Sequence, residues 1–458
     1  MSLEMFGSLG VEACCSDESG LVGNAKGVAF PRSTKEVQSA MAAAWTAGEH
    51  VTVQGARTGL CAGAVPDGGL ILNLSRMMDI LDFSYRPGEA AITVQSGMTL
   101  EKLKNALEKK HANTVRFGIQ AASHWKAYAA SGETLEFYPN PTEETATLGG
   151  VAATAAVGPH SLEPGTLVDY ILSMELVKPD GTVVLVQKGM RAWDVLPDCT
   201  DGGRGALEAL CGSEGAYGAV TALTLKLNVK PRLACGLLCY FHTYDALLDF
   251  FARMRETVSS CGEMVCAAAE WFSASCGQVL KQERNQAAAT FLPEFPRGAA
   301  AALWMEFSGE SEDSLFDLLG CALEFLEEAG QFPDQALAAT DEVNLERLGA
   351  MRHVLIEIAN CKSPCSQVPP YDWKLGGGAG LACAVQVGKC MEREALPYLL
   401  MGHLLSGHCS LRILDGGRRH RAGAAVEGIL KEFGCAFSQE HGCGRIKKRL
   451  REELDHQA

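Results

Sequence analysis

No run in this 458-residue chain approaches the roughly 20 consecutive apolar residues that a membrane span requires. The opening stretch MSLEMFGSLGVEACCSDESG has neither a basic leader nor a long apolar core, so no secretory signal is expected. The location expected is therefore cytoplasmic, at most peripheral to a membrane. Positive charge is also scarce: 40 Lys and Arg stand against 55 Asp and Glu, a net charge of −15. Nucleic-acid binders need cations to displace condensed counterions, so that class of partner is set aside. The short basic clusters Arg418-Arg419-His420-Arg421 and Arg445 to Arg451 read as solvated helix ends that can still draw an anionic substrate. No C-x-x-C occurs among the 18 cysteines, which excludes the usual iron–sulfur ligand spacing and leaves most of them as buried thiols.

Length and composition point to a folded chain of two or three domains, with 47% apolar and 21% charged residues. Ser33-Thr34-Lys35-Glu36 is a capping box, followed by an alanine-rich helix to about Ala47 that Gly48 ends. A strand at Val51-Thr52-Val53, the loop GARTGLCAGAVPDGG and a strand from Leu70 to Leu74 follow. A Rossmann site needs its glycines between a strand and a helix, and here a strand follows them. A second glycine cluster, GGGAG at 376–380, follows the polar Tyr371-Asp372-Trp373-Lys374 and reads as a flexible turn rather than a dinucleotide loop. Ala90 to Gln95 is a strand, Thr99 to Lys110 an amphipathic helix, and 111–137 a less regular insertion. Pro179-Asp180-Gly181 turns a hairpin between Ile171 to Val177 and Thr182 to Val186. The strand-like Val220 to Val229 ends at Pro231, the expected first boundary. Domains are thus expected at 1–231, 232–415 and 416–458. Helices are expected over Ser314 to Ala329, Glu342 to Asn360 and the tail from 424.

Glycine lets a backbone approach a ligand closely, and a loop rich in it can aim several amides at a phosphate. Gly55, Arg57, Thr58, Gly59 and Gly63 meet that need, as does PNPTEETATLGGVAATAAVG from Pro139 to Gly158, with Gly149 and Gly150. Gly212-Ser213-Glu214-Gly215 precedes the strand at Val220. Each has an alternative reading as a packed turn, but three in one domain point to one large phosphate-bearing ligand.

The ordered set PRSTKEV, QGARTGLCAGAVP, PNPTEETATLGGVAATAAVG, SLEPGTLVDYILSMELVKPDG, GSEGAYGAVTALTLKL and SQEHGCGR resembles the vanillyl-alcohol-oxidase-type flavoproteins. Within them it is most similar to the branch of glycolate oxidase flavoprotein subunits, D-lactate dehydrogenases and D-2-hydroxyglutarate dehydrogenases. The resemblance implies an α+β fold: a two-subdomain FAD-binding domain of the PCMH type, a cap domain with an antiparallel sheet for the substrate, and a C-terminal helical segment returning to the flavin. It further implies that FAD is held by Gly55, Ala56, Arg57, Thr58, Gly59 and Gly63, with Thr147, Gly149, Gly150 and Thr154, while Pro139, Gly212 and Gly215 line the flavin and adenine ends. Relatives that attach FAD covalently use a histidine in the first loop. None lies between Gly55 and Pro66, so FAD is expected to be non-covalent.

By the same resemblance, Arg352 clamps the carboxylate of a 2-hydroxy acid, His441 accepts the hydroxyl proton, and Glu440 orients the hydroxyl or ligates a metal. Relatives with a divalent metal such as zinc carry two histidines in a segment that here reads Gly402-His403-Leu404-Leu405-Ser406-Gly407-His408-Cys409-Ser410. The first survives as His403. The second is Ser410, a poor zinc ligand, which makes a metal at His403 and Glu440 a doubtful expectation. Two further departures, Ala155 for an asparagine and Arg191-Ala192-Trp193-Asp194 for a lysine-rich segment, put the usual substrates in question. The function implied is FAD-dependent oxidation of a small D-2-hydroxy acid. Electrons would pass to an iron–sulfur subunit, an electron-transfer flavoprotein or a quinone, with a homo-oligomer possible. The alternatives are a catalytically divergent subunit serving assembly or electron relay, and a family member acting on another alcohol or an alkyl-glycerone-type substrate.

Overall fold

A computed structural model describes residues 5–6, 8–139, 141, 143–156, 158, 166–196, 199, 203–262, 264–285, 289–363, 370–375, 378–418, 420–437, 444–445 and 447–448. The chain divides into two compact units. The first comprises Met1–Ser161, Gly165–Lys230 and Gln439–Glu452, and the second comprises Leu162–Pro164, Pro231–Ser438 and Glu453–Ala458.

Two sheets build the first unit. The smaller has the order Met5–Phe6, Gly27–Ala29, Leu70–Asn73, Val51–Gln54. Leu70–Asn73 runs parallel to both Gly27–Ala29 and Val51–Gln54. A parallel pair needs a crossover; the helix Thr34–Thr46 supplies one, its Ser33 cap accepting from the Glu36 amide. Val37, Ala40, Met41 and Ala44 form its buried stripe, at helical spacing. The larger sheet is antiparallel, ordered Ile80–Arg86, Glu89–Gln95, Ala219–Val229, Ile171–Val177, Val183–Gln187. The hairpin turn at Asp180-Gly181 places Gly181 at φ 86°, a conformation that glycine adopts without strain.

The segment 111–137 is more regular than expected. A helix spans Ile119–Ala130 and a short strand, Leu135–Glu136, pairs with Ala219–Val229. The helix starts at Gly118 without a side-chain cap, which hides it from a reading based on caps. Packing fixes it: Trp125 meets Phe83 edge-on at 4.8 Å, and the Tyr128 hydroxyl donates to the Leu107 carbonyl at 2.8 Å.

One antiparallel sheet organises the second unit, in the order Leu337–Ala339, Leu233–Phe241, Ala301–Gly309, Met264–Ser273, Tyr398–His403, His408–Ile413, Tyr371–Lys374, Ala436–Phe437. On one face, Phe272, Trp304 and Met401 pack with Val354, Leu355 and Ile358 of the helix Met351–Lys362. The helix Tyr244–Cys261 buries Leu247, Phe250, Phe251, Met254 and Val258, with Phe250 5.3 Å from Phe241. Gly262, at φ 64°, ends it.

Two expectations are corrected. Tyr371–Lys374 is a strand with Tyr371, Asp372 and Trp373 buried, not a polar lead-in to a turn, and Gly378 and Gly380 sit in the helix Gly378–Arg393. Glu342 to Asn360 is two helices, Glu342–Gly349 and Met351–Lys362, that share Ala350 at their junction. The helix His420–Glu432 and the strand Ala436–Phe437 lie in the second unit, where the strand pairs with Tyr371–Lys374.

Candidate active site

The first glycine-rich loop is held at its base by two buried amides. Gln54, at the end of its strand, donates to the carbonyls of Cys14 at 2.8 Å and Ala64 at 2.7 Å. Asn73, on the next strand, donates to Gln54 Oε1 at 3.1 Å and to the Gly55 carbonyl at 3.4 Å. Loop carbonyls on both sides of the turn are thereby tied to the sheet, which fixes where the backbone between them runs. Gly55, Ala56 and Arg57 line a cleft of about 420 Å³ with Phe30, Asn73, Ser75 and Arg76. The Arg57 guanidinium donates to the Ala13 and Ser16 carbonyls, so its side chain anchors the neighbouring N-terminal segment.

The second and third loops meet the first. A Cβ on Gly55 would collide with Oγ1 of Thr147, the residue that caps the helix Leu148–Thr154 by accepting from the Gly150 amide. Gly149 lies against Ser96, where a Cβ would come within 2.6 Å of the serine Cβ, and its amide donates to the Ser96 carbonyl at 2.8 Å. Thr154 Oγ1 donates to the Gly150 carbonyl at 2.9 Å. The amides of Gly212 and Glu214 donate to the Ala152 and Ala153 carbonyls at 3.0 and 2.9 Å. Glu214 also accepts from the Gly444 amide at 2.9 Å, and a Cβ on Gly63 would sit 3.3 Å from its carboxylate. Gly215 packs beside Val53, and Pro139 is buried.

Four non-glycine residues of these loops adopt the left-handed backbone: Arg57 at φ 65°, Ala62 at 61°, Ala155 at 48° and Glu214 at 50°. Each costs about 1–2 kcal/mol and persists only where surrounding contacts impose it. Among the described residues, nothing lies within 4 Å of a Cβ position at Gly59, so its Cα is uncovered by them. A cleft, an uncovered glycine and closely apposed backbones fit a flat, diphosphate-bearing cofactor. Thr58 is half-buried in the same loop.

In the second unit, Arg352 lies at the start of its helix and is only 7% exposed. Its Nη1 lies 3.4 Å from Glu270 Oε1 and contacts the imidazole of His403. Glu270 Oε1 is 2.9 Å from His403 Nδ1, because Glu270 and His403 are directly paired across adjacent strands. Glu270 is the residue that sequence reading missed. Ser410, expected to stand in place of a metal-ligating histidine, donates to Asp372 Oδ1 at 2.8 Å. Among the described residues, the Arg352 guanidinium contacts the His403 ring and Ser410 is engaged by Asp372, so the two side chains are already committed to other partners. Glu440 and His441 lie outside the described residues. No helix among the described residues is long and apolar enough to cross a membrane.

Residues 25–123 and 111–187 match the FAD binding domain family, and residues 230–458 match the family described as FAD linked oxidases, C-terminal domain. A D-lactate dehydrogenase of Anaerostipes hadrus is 27% identical over 87% of this chain and 77% of its own length. A D-lactate dehydrogenase of Archaeoglobus fulgidus is 24% identical over 93% of this chain and 85% of its own. Among solved structures, 4-ethylphenol oxidase from Gulosibacter chungangensis superposes with a TM-score of 0.61 at 14% identity, over 99% of this chain and 92% of that one. Alkyldihydroxyacetonephosphate synthase gives 0.62 at 14% identity, over 95% and 76%. The chain belongs to the FAD-linked oxidases, with a PCMH-type FAD-binding domain ahead of the family's C-terminal domain, and FAD is its cofactor.

Proposed function

We propose that this flavoprotein oxidises a small D-2-hydroxy acid, of the glycolate, D-lactate or D-2-hydroxyglutarate type, to the 2-oxo acid. The buried Arg352 guanidinium, set beside Glu270 and His403, is the observation that carries the reading. A planar fork of donors suits a carboxylate, and burial strengthens the interaction. The names of the relatives, D-lactate dehydrogenase over most of the chain and glycolate oxidase subunit over 48% of it, support the same substrate class.

Bound FAD supplies a two-electron acceptor. Arg352 holds the substrate carboxylate and thereby aims the C2–H bond. His403, fixed by Glu270, keeps its ring in one orientation beside that carboxylate. His441 takes the hydroxyl proton as C2 gives up its hydrogen with two electrons and the C2–O bond becomes a carbonyl, and Glu440 orients the hydroxyl. Gly55, Ala56, Arg57, Thr58, Gly59, Gly63, Thr147, Gly149, Gly150 and Thr154 hold FAD, with Pro139, Gly212 and Gly215 at its ends. Electrons leave to an iron–sulfur subunit, an electron-transfer flavoprotein or a quinone. The test is steady-state turnover of the holoprotein with D-2-hydroxy acids and an artificial dye acceptor, with the 2-oxo acid trapped as its hydrazone. Dye reduction with stoichiometric 2-oxo acid is the expected result; no product from any of these acids overturns the reading.

Ser410 bonded to Asp372 favours a second reading, a divergent subunit serving assembly or electron relay. That reading expects tightly bound FAD with no turnover, and co-purification with an iron–sulfur protein.

A further inference from the structure

Every cysteine among the described residues is a free thiol, and the sulfurs of Cys383 and Cys435 are 3.6 Å apart. The two residues are 52 positions apart in sequence, so the fold of the second unit brings them together. Cys383 lies on the buried stripe of the helix Gly378–Arg393, and Cys435 is half-buried. The Cys409 thiol donates to the Gly380 carbonyl at 3.7 Å and ties the start of that helix to the strand His408–Ile413.

Cys435 is positioned by the end of the helix His420–Glu432. The Gly434 amide donates to the Lys431 carbonyl and the Cys435 amide to the Leu430 carbonyl, each at 3.0 Å, with Gly434 at φ 60°. This is a Schellman ending, in which a left-handed glycine turns the chain out of the helix. Cys435 then leads directly into the strand Ala436–Phe437, at the edge of the sheet. That strand is two residues long and pairs with Trp373 and Lys374. So short an edge pairing opens locally at little cost in free energy. In sequence, Glu440 and His441 follow within four residues of Phe437.

Disulfide exchange needs a reachable thiolate with a second thiol beside it. The half-buried Cys435 offers the first and Cys383 the second. The hydrogen bond from the Cys383 thiol holds Cys435 below the usual thiol range against the opposing effect of burial, and the same bond, with burial, pushes Cys383 up. We propose that Cys383 and Cys435 form a reversible disulfide, a redox switch that pins the strand Ala436–Phe437 to the helix Gly378–Arg393. The oxidant is a low-molecular-weight disulfide, R–S–S–R. The Cys435 thiolate attacks one of its sulfurs, the R–S–S–R bond breaks, and one R–S⁻ leaves with the electron pair. Cys383 gives its proton to solvent and its sulfur attacks Cys435, which breaks the mixed disulfide and releases the second R–S⁻. The protein pair loses two electrons and two protons, and the reagent ends as two R–SH. The chain that continues to Glu440 and His441 then starts from a fixed point. The proposal goes beyond the oxidase reading and does not rest on it.

The experiment equilibrates the holoprotein with oxidised glutathione, then blocks remaining thiols and maps the peptides by mass spectrometry, with hydrogen–deuterium exchange in parallel. The expected result is a cross-linked pair of peptides carrying Cys383 and Cys435, lost again on treatment with dithiothreitol. Exchange in the peptide carrying Ala436 and Phe437 should slow about 10-fold or more in the oxidised protein. Cys383→Ser should abolish the cross-link and the slowing, and leave on Cys435 a glutathione adduct that does not resolve. A wild type that carries glutathione adducts without the cross-link, or a cross-link that leaves the strand's exchange unchanged, overturns the proposal. If Cys383→Ser fails to fold, Cys435→Ser serves instead: its exchange should not respond to the oxidant, and slowing in that variant overturns the proposal. Neither readout uses turnover, so a protein that forms the bond but oxidises no 2-hydroxy acid sinks the oxidase reading alone.

Discussion

Glu270 and His403 face each other across two antiparallel strands, a carboxylate oxygen 2.9 Å from the imidazole Nδ1, and Arg352 from a neighbouring helix contacts both. Glu270 is 1% exposed and His403 3%, so this is a desolvated cluster in which each member depends on the others. Breaking a buried charge pair by removing one partner leaves the other uncompensated. Glu270→Ala should therefore lower stability by roughly 3 kcal/mol. Urea unfolding of the holoprotein measures it, and a change within about 0.5 kcal/mol would mean that Glu270 does not balance Arg352.

Arg352→Met should raise KM for the 2-hydroxy acid on the order of 100-fold, and Arg352→Lys should recover only part of the loss because an ammonium lacks the planar fork. Steady-state kinetics with a dye acceptor separates the two, while FAD content stays that of the wild type. Loss of FAD in these variants would contradict the assignment of Arg352 to substrate.

Gly59 and Gly149 should respond differently to alanine. At Gly149 the new Cβ meets Ser96 within 2.6 Å, so Gly149→Ala disturbs the loop itself and should lower both Tm and FAD content. Among the described residues nothing lies within 4 Å of a Cβ at Gly59, so Gly59→Ala should leave the melting of the apoprotein unchanged and weaken FAD binding about 10-fold or more. Fluorescence titration of the apoprotein with FAD reads this, and an unaltered Kd would place the cofactor away from that surface.

Acid precipitation should release the flavin completely into the supernatant, since no histidine stands between Gly55 and Pro66. Flavin absorbance remaining with the washed pellet would reveal a covalent link from another residue.

Treatment with a chelator should leave turnover unchanged, because a guanidinium contacts the ring nitrogen of His403 and Ser410 is committed to Asp372. Inactivation reversed by zinc would contradict this account of His403.

Much of the cofactor half was legible because its signals are local. Glycines, a threonine cap and small residues fall within short stretches, and the Asp180-Gly181 turn sets its hairpin without help from distant residues. The Gln54 and Asn73 amides that tie down the first loop were not legible, since an amide at a strand end has no pattern of its own. The second unit was less legible for a physical reason. Glu270 sits inside the apolar strand MVCAAAEWFS, and its importance arises only when the chain brings Tyr398–His403 alongside it. Arg412 looks like one more charge in a strand until the sheet buries it against Asn360. Such meanings are set by strand order, which alternation within a strand does not encode.

The central claim is that a 2-hydroxy acid delivers hydride from C2 to FAD. Its most direct test is anaerobic mixing of the purified holoprotein with glycolate and with the D and L forms of lactate, malate and 2-hydroxyglutarate, while the flavin absorbance is followed. Rapid bleaching by a D acid, slowed by deuterium at C2 and absent with its L enantiomer, is the predicted result. A flavin that stays oxidised with every acid, yet is bleached by dithionite, would contradict the account.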